Sequence, residues 1–211
     1  TWGRFADISL AVPGNHEYYT ANAAGYRAYA QRHSWPLQSN GDLWWDAQLA
    51  ETTWVAIGLD SQITTGKAAA RQLKFLRAAL VRHNGQPTIV LWHRPRFSKG
   101  LHGNADSMDP YWKVVAADPD VKIVLWGHDH NYEHRTYARK LSGQKVYLDT
   151  FVVGTGGAES RACQVKSKRP ALICGNDNHG VLLLSLAQTP FMWQYIQVGG
   201  TVADSGERAI G

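Results

Sequence analysis

The sequence predicts an α/β fold, with helix-linked strands first and a strand-rich region last. Three observations carry this. Short runs that are apolar at nearly every position recur along the chain, as strands buried on both faces should. Between them lie segments whose apolar residues recur at helical spacing. Beyond these, "QKVYLDTFVVGTGG", "GVLLLSL" and "FMWQYIQVGG" follow one another with few helices between, which suits a mixed or antiparallel sheet.

The elements are expected in this order. "ISLAVPG" (8–14) reads as a short strand stopped by Pro-Gly. Residues 21–33 read as a helix with Tyr26, Tyr29 and Ala30 on one face. "TWVAIGLD" (53–60) is a strand. Residues 68–83 form the clearest amphipathic helix, with Leu73, Leu76 and Leu80 on its apolar face and Asn84-Gly85 as its stop. "PTIVLWH" (87–93) is a buried strand. "DPYWKVVAAD" (109–118) is a short helix with Asp109 as cap and Pro110 in its first turn. "VKIVLWGH" (121–128) is another buried strand.

Length and composition suit one domain spanning residues 1–211 with a substantial core. Hydrophobic content of 44% and charged content of 18% argue against disorder. The 22 Lys and Arg against 17 Asp and Glu leave +5, which favours anionic ligands. These cations are scattered, and only "VKSKR" (165–169) is dense, so a general solubility charge is the reading over a nucleic-acid surface. No apolar run reaches the roughly 18 residues of a membrane span. There is no signal-peptide pattern, and the absence of an initiator Met suggests a processed or truncated start. Cys163 and Cys174 belong to no Cys-x-x-Cys pair and flank a polar, basic stretch. A loop closed by a disulfide fits this, with two free thiols as the alternative; a bridge would imply an oxidising compartment, extracellular or periplasmic.

Polar clusters follow three expected strands: "PGNHEYY" (13–19), "LWHRPRF" (91–97) and "WGHDHNYEH" (126–134). Ligands of open α/β sheets gather at the carboxyl ends of strands, so these loops can bring Asn15, His16, His93, His128 and His130 together. Neutral imidazole and an amide oxygen are suitable metal ligands. Gly14 and Gly127 are expected to let the backbone turn sharply beside the cluster. On an extended segment His128 and His130 share a face. A lone histidine after a strand is usually structural, but three such segments in this order form a specific pattern.

"GNHE", "VLWH" and "GHDH" resemble three of the five signature blocks of the calcineurin-like metallophosphoesterases, closest to the bacterial branch related to purple acid phosphatases. "WHRPRFSKGLHGN" (92–104), "FVVGTGG" (151–157) and "GGTVADSG" (199–206) extend the likeness nearly end to end. The resemblance implies a β-sandwich core flanked by helices, metal-activated water and hydrolysis of a small phosphoester. It implies Asn15, His93 and His128 as ligands of one ion (zinc, iron or manganese), with His130 reaching a second. It makes His16 the phosphate contact and proton donor to the leaving group, and His102 a further substrate contact.

The family's first two blocks, including the "GD" block with its bridging Asp, find no match upstream of "GNHE"; Asp7 is the only acid there and has the wrong context. The expectation is therefore a domain lacking its N-terminal strands, with one nearly complete metal site and a fragment of another. Three protein ligands with open positions is a common catalytic zinc arrangement. The alternatives are a catalytically impaired metal-binding domain, or a half-domain completed by a missing N-terminal piece or a second subunit covering an open sheet edge.

Other residues keep two readings. Glu17 either orients His16 or favours a helix start, and Asp129 is a loop or supporting residue that the ligand spacing skips. Arg94 and Arg96 either meet phosphate or sit on the surface. Tyr132 either walls the pocket or packs in the core. "GTGG" (154–157) lacks the Lys-Ser/Thr of a nucleotide loop and reads as a tight turn near the site. His33, His83 and His179 are expected to be structural, and His134 to lie outside the coordination shell. No Gly-x-Ser-x-Gly elbow supports a serine hydrolase.

Overall fold

The computed structural model describes residues 2–141, 143–163, 172–175, 179–187 and 189–210. The basic stretch 165–169 lies outside the described residues. A seven-stranded sheet has the order β1-β2-β3-β4-β6-β5-β7, and a three-stranded sheet the order β10-β9-β8. The strands are β1 (Trp45–Gln48), β2 (Val55–Gly58), β3 (Thr88–Leu91), β4 (Val121–Trp126), β5 (Tyr132–Leu141), β6 (Gln144–Val153), β7 (Leu172–Gly175), β8 (Gly180–Ser185), β9 (Phe191–Gln197) and β10 (Val202–Arg208). The helices are α1 (Ala24–Arg32), α2 (Gly66–Arg82) and α3 (Asp109–Ala117).

Strands β2, β3, β4 and β6 run parallel, β1 and β5 pair antiparallel onto β2 and β6, and β7 pairs antiparallel with β5. The parallel strands are apolar throughout because both faces are covered. On β3, Val90 faces α2 and α3, with Leu76, Ala79, Leu80, Tyr111 and Val115 in the same cluster. Its neighbour Ile89 faces the second sheet, where Phe191, Trp193 and Tyr195 of β9 complete another cluster with Trp54, Ile123 and Phe151. The layers are thus helices, mixed sheet and antiparallel sheet, a helix-flanked β-sandwich core. Each fully buried large apolar side chain contributes about 1.5–3 kcal/mol. The outer face of the smaller sheet exposes Val181, Leu183, Met192 and Val202.

Segment 8–14 is not a strand. A 3-10 stretch covers Trp2–Ile8, and the following residues run irregularly. The carbonyl of Ala11 receives the Tyr26 hydroxyl at 2.6 Å and the Trp45 indole at 2.8 Å, so side chains supply what a strand ladder would. Asp109 does not cap α3. Met108 holds that position, while the Asp109 carboxylate accepts from Arg96 Nε at 3.1 Å and pairs with Lys113 Nζ at 2.8 Å. Helix α2 buries Gln72, Leu76, Ala79 and Leu80, a spacing of one helical face. Gln72 is polar yet buried because its amide donates to the carbonyls of Asp60 and Ile63, both at 3.0 Å, and its Oε1 accepts from Asp60 N at 2.6 Å. That clamp fixes the loop leaving β2.

No described helix is long and apolar enough to cross a membrane. His33 meets Asp7, His83 lies 2.7 Å from Asp46, and His179 donates to the Ala158 carbonyl at 2.8 Å.

Candidate active site

The loops after β3, β4 and β6 converge with the turn at residues 14–17 around a cleft of about 670 Å³. Its walls include Asn15, His16, Glu17, Tyr19, His93, His102, His128, His130, Gly154 and Arg161. This is the carboxyl end of the parallel strands, where the crossover geometry leaves a crevice.

Asn15, His93 and His128 meet closely. His93 Nε2 lies 2.9 Å from Asn15 Oδ1 and 3.2 Å from His128 Nδ1. Gly14 permits this approach, since a Cβ there would stand 3.0 Å from the His93 ring. The left-handed residue in the second turn is His128 itself, with φ +67°, and not Gly127. A non-glycine residue held there carries local strain, a frequent property of functional positions. Burial is the main force lowering the pKa of His93 to about 4, with the charge of Arg94 next. Burial likewise lowers His128 to about 4, with His93 and His102 adding to it. Both imidazoles are therefore neutral at neutral pH, the form in which a histidine ligates metal.

The turn carrying Asn15 and His16 is pinned twice. Glu17 Oε2 accepts from Gly14 N at 2.7 Å, so this carboxylate closes the turn instead of orienting His16. The Tyr18 hydroxyl donates to the buried Asp60, just past β2. Burial raises the pKa of Asp60 and, with the Asp60 contact, that of Tyr18. His16 is exposed on the cleft wall, its ring 4.7 Å from that of Tyr19.

Asp129, fully buried, organises the other side. Its Oδ1 accepts from His102 N at 2.7 Å, while Oδ2 is buried with no hydrogen-bond partner. A Cβ on Gly100 would lie 2.3 Å from its Cγ, and one on Gly154 would lie 1.7 Å from its carbonyl oxygen. Glu133 adds a second staple by accepting from Lys99 N at 2.7 Å. His102 is thereby stacked on His128, with ring centroids 4.4 Å apart. His130 stands apart from the cluster: its Nδ1 lies 2.9 Å from the Glu159 carbonyl oxygen.

Tyr132 is not a cleft residue. It points between the sheets, 2% exposed, stacked on Tyr195 at 3.9 Å with its hydroxyl on Asp204 at 2.5 Å. Arg94 is absent from the described cleft lining, and its Nε is buried without a partner. Arg96 pairs with Asp106 at 2.9 Å and Asp109 at 3.1 Å. "GTGG" lines the cleft as a turn, with Gly156 and Gly157 on its wall. Cys163 and Cys174 form a disulfide, and the Asn131 amide lies 3.4 Å from both sulfurs.

Two features escaped the sequence. Arg161 reaches the cleft from a loop whose sequence carries no pattern for it. His134 lies between two buried carboxylates, 3.2 Å from Asp149 Oδ1 and 3.0 Å from Asp204 Oδ2, with Arg208 also on Asp149. Nothing local signals this, because Asp149 and Asp204 lie far along the chain.

An α/β sandwich with an Asn/His cluster at its parallel strand ends is the arrangement of a phosphoesterase-like class. The chain belongs to the calcineurin-like phosphoesterase family, whose model matches residues 3–132. No curated protein sequence matches it. Among solved structures, a purple acid phosphatase from yellow lupin (Lupinus luteus) seeds superposes with a TM-score of 0.66 at 19% identity, over 95% of this chain and 40% of that one. The GAP50 anchor of the inner membrane complex of Plasmodium gives 0.64 at 16% identity, over 81% of this chain and 55% of that one. A dimetal phosphatase from Danio rerio gives 0.60 at 12% identity, over 95% and 71%. These likenesses concern the fold, and this chain spans about half the length of the first two.

The family implies metal. Among the described residues no group of three His, Cys, Asp or Glu side chains has metal-binding geometry. The donors present do fit part of one site: His93 Nε2 lies within 3.2 Å of both the Asn15 amide oxygen and His128 Nδ1. That donor set suits zinc and similar ions.

Proposed function

We propose that the chain is a metal-dependent phosphoester hydrolase acting on a small substrate. The observation that carries this is the meeting of Asn15 Oδ1, His93 Nε2 and His128 Nδ1 in a histidine-lined cleft. These three would hold an ion of zinc, iron or manganese, and His130 would be the ligand this chain offers to a second. A bound ion supplies Lewis acidity toward phosphoryl oxygens and acidifies water.

The protein's own groups do the rest. His16, on the exposed wall, would give a proton to a leaving oxygen. His102, fixed through its backbone by Asp129, presents its ring to a non-bridging oxygen. Asn15 is held by a turn that Glu17 and Tyr18 lock to the sheet, so little reorganisation accompanies binding. We further read the chain as a protein of an oxidising compartment, extracellular or periplasmic, a reading supported by the disulfide.

His93→Ala should abolish tight metal binding, measured by elemental analysis. His16→Ala should keep the metal and lower turnover of 4-nitrophenyl phosphate by about 10²–10⁴. Full metal and full turnover in both variants would refute the assignment.

A second reading, a half-domain completed by another segment or subunit, is favoured by one observation. The described cleft lining contains a single carboxylate, Glu17, and that one is spent on Gly14 N. Metal without turnover in the isolated chain, together with a gain of activity on adding the missing segment, would select it.

A further inference from the structure

Among the described residues of the cleft lining, Arg161 is the one arginine or lysine, and the reaction outlined above leaves it without a task. Its side chain lines the cleft, and Nη1 donates to His102 Nε2 at 3.2 Å. Five other arginines, at positions 71, 82, 96, 135 and 208, are paired with carboxylates. Among the described residues Arg161 has no such partner. A guanidinium on a cleft wall beside an imidazole, with no acid paired to it among the described residues, suits an anion.

The loop is built to hold it there. Arg161 N donates to the His130 carbonyl at 2.8 Å. His130 Nδ1 meets the Glu159 carbonyl oxygen at 2.9 Å, and His179 Nε2 meets that of Ala158 at 2.8 Å. Two residues past Arg161, Cys163 is bonded to Cys174, and Cys174 pairs with Glu133 across β7 and β5. Asn131, buried beneath, donates to both sulfurs. Arg161 lies two residues before the disulfide, and a side chain on a segment tethered by these hydrogen bonds loses less freedom on binding than one on an untethered segment.

We propose that Arg161 is a substrate-binding residue that grips the terminal phosphate together with His102 and biases the cleft toward phosphomonoesters. This rests on the phosphoesterase reading. A monoester dianion offers three non-bridging oxygens and two charges, whereas a diester offers two oxygens and one charge. The guanidinium fork adds paired donors that a monoester can use fully and a diester cannot. Glu17 is the one carboxylate in the described cleft lining, and its Oε2 is turned to Gly14 N.

The test compares wild type, Arg161→Gln and Arg161→Lys with 4-nitrophenyl phosphate, bis(4-nitrophenyl) phosphate and inorganic phosphate. Arg161 lies in a surface loop, and circular dichroism checks that each variant folds. For Arg161→Gln, the monoester KM and the phosphate Kd should rise about ten- to a hundredfold, as for loss of a charge-assisted contact. The diester KM should change by less than about threefold, because fewer of its oxygens face the fork. Lysine should recover part of the affinity through charge without the bidentate geometry. A monoester KM and phosphate Kd within about twofold of wild type would overturn the proposal, as would an equal loss for both esters. If wild type turns over neither ester, the phosphoesterase reading fails by itself. Calorimetric phosphate titration then decides Arg161 alone: a tenfold weaker Kd in Arg161→Gln supports it, and equal or absent binding in wild type overturns it.

Discussion

His134→Leu tests whether the two sheets are joined by an ionised cluster. The wild-type imidazole touches Asp149 at 3.2 Å and Asp204 at 3.0 Å, stacks on Phe151 at 4.4 Å and meets the edge of Trp193 at 5.1 Å. Asp149 and Asp204 have side chains 0% and 5% exposed, so neither can turn to water when the ring is lost. Leucine keeps the packing volume and removes both contacts. Asp149 would retain Arg208 and Thr136, but Asp204 would retain the Tyr132 hydroxyl and no cation. Stranding a buried charge by removing its partner costs about 3–5 kcal/mol. For a chain of this length that is a fall in Tm of roughly 6–20 °C. Urea unfolding of His134→Leu, Asp204→Asn and the double variant measures it. The double variant should recover at least about 1 kcal/mol, because a neutral amide no longer needs a cation. A loss below about 1 kcal/mol in His134→Leu, with no coupling to Asp204, would show that the cluster is not ionised.

Two further predictions extend this. Burial pulls the His134 pKa down, but hydrogen bonds and charge from Asp149 and Asp204 outweigh it and raise it; the same contacts, against burial, lower Asp149 and Asp204. The raised histidine stabilises fully below its unfolded pKa, near 6.5, and loses that contribution as pH rises through its folded pKa; the lowered carboxylates stabilise above about 4 and lose theirs in stronger acid. Stability should therefore peak between about pH 4 and 6.5 in thermal melts, and His134→Leu should flatten the alkaline side of the curve. Gly154→Ala should destabilise by about 3 kcal/mol or more and weaken phosphate binding, because its Cβ would stand 1.7 Å from the Asp129 carbonyl oxygen. An unchanged melt and phosphate affinity would show that this contact is not needed.

The legible parts of the fold were those with a strong local period. "TIVL" and "VKIVLW" are apolar on both faces because both faces are covered, and α2 shows its buried stripe directly. β5 was not legible: "YEHRTYARKL" is mostly polar, since its inward residues are an ionised or hydrogen-bonded set and its far half is partly exposed. Segment 8–14 looked like a strand because it is apolar and ends in Pro-Gly, but its carbonyl partners are the side chains of Tyr26 and Trp45. Within the site, Asn15, His93 and His128 were legible because each stands in a short, distinctive block. Tyr132 was ambiguous because a side chain's face depends on register, and one residue decides between cleft and core. Arg161 was silent because its position comes from a disulfide and from three backbone carbonyls, none of which leaves a pattern around the arginine.

Asp129 also bears on how this cleft can change over generations. Its carboxylate holds the loop of His102, its side chain fills the space beside Gly100, and its carbonyl abuts Gly154. Positions 100, 129 and 154 are therefore epistatic: a larger residue at either glycine has room only if Asp129 has already moved, and that displacement releases His102. Residues at the tips of the same loops face solvent and are free to drift separately. A lineage can thus retune what the rim recognises by small steps, while remodelling the floor requires coordinated replacements. A library that randomises the rim will be rich in folded members, and one that randomises the floor a position at a time will be poor.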